Sequence, residues 1–225
     1  MKIAVAIDGP AAAGKSTVAK LIAEAKGFTY IDTGAMYRAF TWYCLKKGVD
    51  CQDHEGCVDL IPEVHIELKP GHIVLCNKED VSFAIRQTDV SGNVSYIASY
   101  KEIRLALVEQ QRKMAEKDSV IMDGRDIGTY VLPNAEVKIY QIASVETRAI
   151  RRYEENLQKG IPCTLEEIEE DVRKRDYIDS HREFAPLRPA ADSILLDTSY
   201  MSIQEVVDAI IAIIDRKIEE LSANA

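Results

Sequence analysis

At 225 residues the chain can bury one α/β domain with insertions. Its 28 basic and 37 acidic residues leave a net charge of −9, which excludes broad attraction to nucleic acid or anionic membranes and confines any positive function to a local cluster. No stretch approaches the length of a membrane span, and the first apolar run is too short for a signal peptide, so the expected home is the cytoplasm.

In chain order, the apolar run Ile3 to Ile7 reads as a short buried strand. It leads into Gly9-Pro10-Ala11-Ala12-Ala13-Gly14-Lys15-Ser16, which matches G-x-x-x-x-G-K-[ST], and then into a helix from about Lys15 to Lys26 stopped by Gly27. Strand, glycine-bounded loop and helix in that order predict a nucleoside triphosphate site. Backbone N–H groups and the helix dipole would hold the phosphates, Lys15 would reach the β- and γ-phosphates, and the Ser16 hydroxyl would ligate Mg²⁺. A short strand over Phe28 to Ile31 and a helix over about Ala35 to Lys47 follow.

Between about Gly48 and Tyr100 the pattern changes. His65 to Leu68 and Ile73 to Cys76 flank Lys69-Pro70-Gly71 and predict a hairpin, which reads as an insertion and not another β-α unit. Cys51, His54 and Cys57 are evenly spaced, but zinc requires a fourth ligand, and the five cysteines contain no C-x-x-C pair; reduced thiols and a polar loop are expected. Asn77-Lys78-Glu79-Asp80 and Asp53-His54-Glu55-Gly56 imitate GTPase signatures. The second lacks the buried strand it should close, so the GTPase reading is set aside.

A charged helix spans Lys101 to Lys117, and strands follow at Val120 to Met122, ending on Asp123, and at Val137 to Ile142. Helices cover Val145 to Lys159 and Leu165 to Asp176 around Gly160-Ile161-Pro162. A last strand lies at Ser193 to Leu196. The C-terminal helix offers Ile203, Val206, Val207, Ile210, Ile211 and Ile214 as its buried stripe. The fold class is therefore α/β: a P-loop parallel sheet with helices on both faces. Asp123-Gly124-Arg125-Asp126 ends a strand where such sheets place their ligands, and Arg148, Arg151, Arg152, Arg173, Arg175 and Arg182 follow. Guanidiniums suit transferring phosphates; the plainer reading, for about half of them, is a solvated face paired with Glu154, Glu155, Glu166 and Glu167.

Several segments together resemble the bacterial cytidylate kinases, end to end: Ile7-Asp8-Gly9-Pro10, Asp32-Thr33-Gly34-Ala35-Met36-Tyr37-Arg38, Glu79-Asp80-Val81-Ser82, Asp123-Gly124-Arg125-Asp126-Ile127-Gly128-Thr129, Arg175-Asp176 and Ala185-Pro186-Leu187. The chain departs from the family's usual pattern at Lys78 and at Gln141-Ile142, neither expected to touch a site residue.

The resemblance implies transfer of the γ-phosphoryl of ATP to CMP or dCMP, with ATP as co-substrate and Mg²⁺ as cofactor. It implies ATP binding by Gly9, Pro10, Ala11, Ala12, Ala13, Gly14, Lys15, Ser16 and Thr17, and Mg²⁺ held by Ser16 and, through water, by Asp123. Arg38, Arg125 and Arg182 would clamp the acceptor phosphate, with Arg175 in the same cluster. Thr33 would lie near that nucleotide, Asp179 would contact its ribose, and Ser95, Arg104 and Asp126 would read cytosine. Lys15, Arg125, Arg175 and Arg182 carry the chemistry in this reading. The core would comprise 1–32, 101–147 and 183–225, the nucleotide-monophosphate region with its insert 33–100, and a helical lid 148–182. The partners are small nucleotides, with no nucleic acid or membrane, and the expected state is a monomer. The competing readings are a kinase for another small acceptor such as UMP or AMP, and a non-catalytic ATP/GTP-binding switch.

Overall fold

The computed structural model describes residues 2–158 and 160–223. The elements are β1 (Ala4–Asp8), α1 (Lys15–Lys26), β2 (Thr29–Asp32), α2 (Thr33–Lys46), α3 (His54–Asp59), β3 (Ile66–Lys69), β4 (Ile73–Cys76), β5 (Glu79–Asp80), α4 (Thr88–Ile97) and α5 (Lys101–Ala115), followed by β6 (Val120–Gly124), β7 (Val137–Ile142), α6 (Val145–Gln158), α7 (Leu165–His181), β8 (Ile194–Asp197) and α8 (Ile203–Ala223). The helix end expected at Lys159 lies outside the described residues. The chain forms two compact units, one made of the described residues up to Tyr30 and from Lys117 onward, the other of Ile31–Glu116.

The first unit is built on a sheet of strand order β2-β6-β1-β7-β8. β1 pairs in parallel with β6 and β7, and β7 with β8. Strands buried on both faces are mainly apolar, as Val5, Ile7, Ile121 and Ile139 are here, although β7 also buries Lys138 and Gln141. They pack with Val18 and Ile22 of α1 and with Val206, Val207, Ile210 and Ile214 of α8, each side chain stabilising the fold by roughly 1.5–3 kcal/mol. Ile203 departs from the expected stripe: as the first residue of α8 it is exposed, because the apolar face meets the sheet only from Val206 onward. The register sets Ile7 beside Asp123 and Asp8 beside both Gly124 and Tyr140, so the functional ends of β1, β6 and β7 fall at one sheet edge.

The second unit contains the expected hairpin: β3 pairs antiparallel with β4, Lys69 facing Ile73 across the Pro70-Gly71-His72 turn. Gly71 stands at φ +78, the left-handed conformation that such a turn gives to glycine. Helix α5 belongs to this unit and not with the phosphate-loop core, since Ile103 and Leu107 share a buried cluster with Met36 and Phe40 of α2. Helix α4 was not legible in the sequence: Thr88, Ser91, Gly92 and Asn93 are weak helix formers, and its fold depends on burial of Val90, Val94 and Ile97.

The GTPase imitations have structural roles. Asn77 (φ +51) and Lys78 (φ +68) form the left-handed turn between β4 and β5. Asp53 is the N-cap of α3, its carboxylate accepting from the Gly56 N–H at 3.1 Å. The zinc spacing is dispersed as well. Cys51 and Cys57 are buried in the core, whereas His54 pairs with Glu102 at 3.0 Å on the surface.

Candidate active site

The phosphate loop opens on Gly9, where a Cβ would stand 2.0 Å from the Gln141 carbonyl oxygen; only glycine fits this approach. Gly14 stands at φ +86 and starts α1. Lys15 is buried, and its Nζ donates to the Pro10 carbonyl at 2.7 Å, curling the loop around its own lysine. Burial pushes the Lys15 ammonium well below its usual range; Arg125 adds to this, and Asp123 and Asp8 oppose it. Ser16 donates from Oγ to Asp123 Oδ2 at 2.6 Å, and the Tyr30 hydroxyl donates to Asp123 Oδ1 at 2.7 Å. A hydroxyl and a buried carboxylate side by side at a strand end form the hard oxygen donor set that Mg²⁺ takes, so these residues fit that ion.

Ala11 is held at both backbone groups. Its N–H donates to Asp176 Oδ1 at 3.1 Å, and its carbonyl accepts from Arg148 Nη1 at 2.9 Å, while Arg148 and Asp176 are themselves paired at 2.6 Å. Arg151 donates to the Thr198 carbonyl at 2.7 Å, so it is a tie between α6 and the end of β8 and not an ornament of the helix surface. Gln141 also corrects an expectation: its Nε2 donates to the Ala13 carbonyl at 2.6 Å, inside the phosphate loop.

Asp8 joins two sequence signatures physically. Its Oδ1 accepts from the Ile127 N–H at 2.8 Å and its Oδ2 from the Gly128 N–H at 2.7 Å, pinning the segment after Arg125-Asp126 to the loop's own strand. Burial raises its carboxyl to about 6 from the usual 3.8, against the pull of those two amides. A group raised this way binds its proton more tightly folded than unfolded; its stabilising effect is full below pH 3.8 and lost as pH rises through about 6. Relative to Asp8→Asn, the parent should therefore lose about 2 kcal/mol of unfolding free energy between pH 4 and pH 7. Urea titrations of both proteins at the two pH values check this, and parallel changes would contradict it.

Arginines gather around Asp179 in the first unit. Arg125 Nε donates to Asp179 Oδ2 at 2.8 Å, and Arg182 lies 4.0 Å from Asp179 Oδ1 and 3.4 Å from Asp126 Oδ1. Burial works against the Asp179 charge, yet Arg125 and Arg182 hold its carboxyl below the usual value. Arg175 is pulled down to about 10 by burial and by Arg125, as expected of cations crowded together. The expectation of a solvated face holds for Arg173, paired with Glu169 at 2.5 Å, and for Arg152, paired with Glu155 at 3.3 Å.

The other residues expected from sequence belong to the second unit. Thr33 is buried at the start of α2, whose N-cap Asp32 accepts from the Ala35 N–H at 2.7 Å and pairs with Arg38 at 3.3 Å. Ser95 is buried on α4. Arg104 is buried on α5, donating to the Ala98 carbonyl at 2.8 Å with its guanidinium 5.1 Å from the Tyr37 ring centre. Asp126, expected to act with Ser95 and Arg104, belongs to the first unit.

The cytidylate kinase family model matches residues 5–216. Cytidylate kinases of Anoxybacillus flavithermus and Geobacillus kaustophilus are 52% and 53% identical over 221 and 220 residues, covering 97% and 96% of this chain and 98% of each relative. That of Bacillus subtilis is 51% identical over 219 residues, covering 96% of this chain and 98% of its own. The chain belongs to the cytidylate kinase family.

Among solved structures, a gluconokinase from Sinorhizobium meliloti 1021 superposes with a TM-score of 0.53 at 13% identity, covering 99% of this chain and 97% of that one. An uncharacterized protein from Eubacterium ventriosum ATCC 27560 gives 0.55 at 16% identity, covering 96% of this chain and 99% of that one. At such identity these two speak for the α/β fold alone. Asp8, Arg148, Asp176 and Gln141 support the site without being legible as site residues in the sequence. For Asp8, which closes the otherwise apolar β1, the available signal was a polar residue ending a buried strand, since a buried polar group must be satisfied by something; Gln141 lies in a strand that also carries Lys138, and Arg148 and Asp176 lie on helices, where no such signal exists.

Proposed function

We propose that the chain transfers the γ-phosphoryl of ATP to CMP or dCMP, giving ADP and CDP or dCDP. The observation that supports this most is the gathering of Arg125, Arg175 and Arg182 at Asp179 in the same unit as the phosphate loop, with Lys15 in the field of Arg125. A clustered set of cations suits two anionic substrates whose mutual repulsion is the main obstacle to in-line transfer.

The attacking group is a phosphate oxygen, already anionic at neutral pH, so no general base is required, and His54, His65, His72 and His181 take no part. Lys15 neutralises the donor phosphates, while Arg38, Arg125 and Arg182 fix the acceptor phosphate, with Arg175 in support. Thr33 adjoins the acceptor and Asp179 meets its ribose. Ser16 and Asp123 would hold Mg²⁺, whose charge would further neutralise the donor phosphates. Residues 148–182 act as a lid that excludes water, and the enzyme works as a cytoplasmic monomer.

Ser95 and Asp126 accept from the 4-amino group of cytosine and Arg104 donates to N3. Uracil presents a carbonyl and an N–H at those positions, so it leaves the Asp126 carboxylate and the Arg104 guanidinium mismatched, while the Ser95 hydroxyl can turn to donate. Asp126→Asn should lower kcat/KM with CMP and narrow the CMP-to-UMP preference while leaving ATP affinity nearly unchanged. Steady-state kinetics on both acceptors checks this; a ratio equal to the parent's removes the base-reading role and leaves Asp126 as a partner of Arg182. The reaction itself is tested by coupled ADP release against a panel of nucleoside monophosphates. Preferred turnover of CMP and dCMP supports the proposal; preference for UMP or AMP, or ATP binding without any acceptor, replaces it.

A further inference from the structure

Gln141 lies one residue before the end of β7 and is 1% exposed. Pairing of Tyr140 with Asp8 brings it level with the start of the phosphate loop, where its backbone carbonyl forms the wall against Gly9. Its side chain reaches further along the same loop, to the Ala13 carbonyl at 2.6 Å. The orientation of the carboxamide is dictated by that contact: turned over, it would set one acceptor against another.

Ala12, the residue between the two tethered alanines, stands at φ +58, in the left-handed region that side-chain-bearing residues rarely adopt. Ala11 on one side is held through both its N–H and its carbonyl by Asp176 and Arg148, and Ala13 on the other is held by Gln141. Backbone in a sparsely populated conformation persists when its flanks over-determine it. A leucine of similar size at 141 would fill the same core space and leave the Ala13 carbonyl without this donor.

We propose that Gln141 is a positioning residue for ATP. Together with Arg148 and Asp176 it keeps Ala12 in its left-handed turn, so the loop backbone beyond Ala11, whose own N–H is taken by Asp176, is shaped for the triphosphate before the nucleotide arrives, which reduces the ordering that binding requires. This rests on the reading that the loop holds ATP, but not on the identity of the acceptor.

The test uses the full chain as Gln141→Leu and Gln141→Met, with ATP and CMP affinities measured by calorimetry. ATP should bind about tenfold more weakly, equivalent to 1.4 kcal/mol, while CMP affinity stays within about twofold and kcat at saturating ATP within about threefold. Equal losses for both nucleotides, or a lower melting temperature with unchanged ATP affinity, would reduce Gln141 to core packing and overturn the proposal. Should neither variant fold, the carboxamide protons of ¹⁵N-labelled parent protein serve instead. They should shift on addition of ATP and not of CMP, and indifference to ATP overturns the proposal. A parent that binds ATP with these signatures but does not phosphorylate CMP would remove the cytidylate reading alone.

Discussion

Replacing Lys15 with alanine should lower turnover with ATP and CMP by about two to four powers of ten while leaving CMP affinity near the parent value. The reason is the position of the ammonium. It is buried within the phosphate loop, held by the Pro10 carbonyl, and in an environment that already opposes its charge through burial and Arg125. Such a cation gains most when negative charge comes to it, and in phosphoryl transfer that charge is on the donor phosphates. A neutral side chain leaves the repulsion between donor and acceptor uncompensated at the moment of transfer, so the loss falls on kcat. Coupled kinetics at saturating nucleotides with calorimetry for CMP separate the two effects; near-parent turnover in Lys15→Ala would refute the assignment of the loop.

The second large effect is expected at Arg182. Its side chain is 2% exposed, donates to the Ala185 carbonyl at 2.8 and 2.6 Å, and lies beside Asp126 and Asp179. Those contacts fix the guanidinium before any nucleotide is present, so little ordering remains when a phosphate binds. Arg182→Ala should weaken CMP by about 2–5 kcal/mol with little change in ATP affinity, the range for losing one desolvated charge-assisted partner. Arg182→Lys, which keeps the charge without the planar fork, should fall between the two. Arg173→Ala is the control, because Arg173 is an exposed surface cation paired with Glu169. Arg151→Ala would not serve, since Arg151 holds the Thr198 carbonyl. Calorimetry with each nucleotide reads the outcome, and equal losses of ATP and CMP affinity would contradict separate donor and acceptor roles.

Much of this molecule was legible one residue at a time. The phosphate loop announces itself because few residue types satisfy its local demands: glycine at a close backbone approach, glycine again at the left-handed start of α1, then lysine and a hydroxyl. Val137–Ile142 and Lys15–Lys26 were readable to their boundaries for a related reason, since a short β-branched-rich run and a terminal Gly27 are local signals. Helix α4 was not readable, because its weak helix formers become helical only where Val90, Val94 and Ile97 find apolar surface to cover. The turn at Asn77-Lys78 could imitate a guanine-reading signature for the same reason: four residues carry too little information to tell a hairpin corner from a base-binding loop.

The supports of the site depended on tertiary structure entirely. Asp8 meets Ile127 and Gly128, Gln141 meets Ala13, and Arg148 with Asp176 brackets Ala11, all across separations along the chain that no local pattern reports. Sequence alone determined which chemical groups the chain has for holding a triphosphate. Parallel pairing of β1, β6 and β7 decided which of them share one sheet edge, and burial there, where an unsatisfied polar group is costly, decided what each must hold.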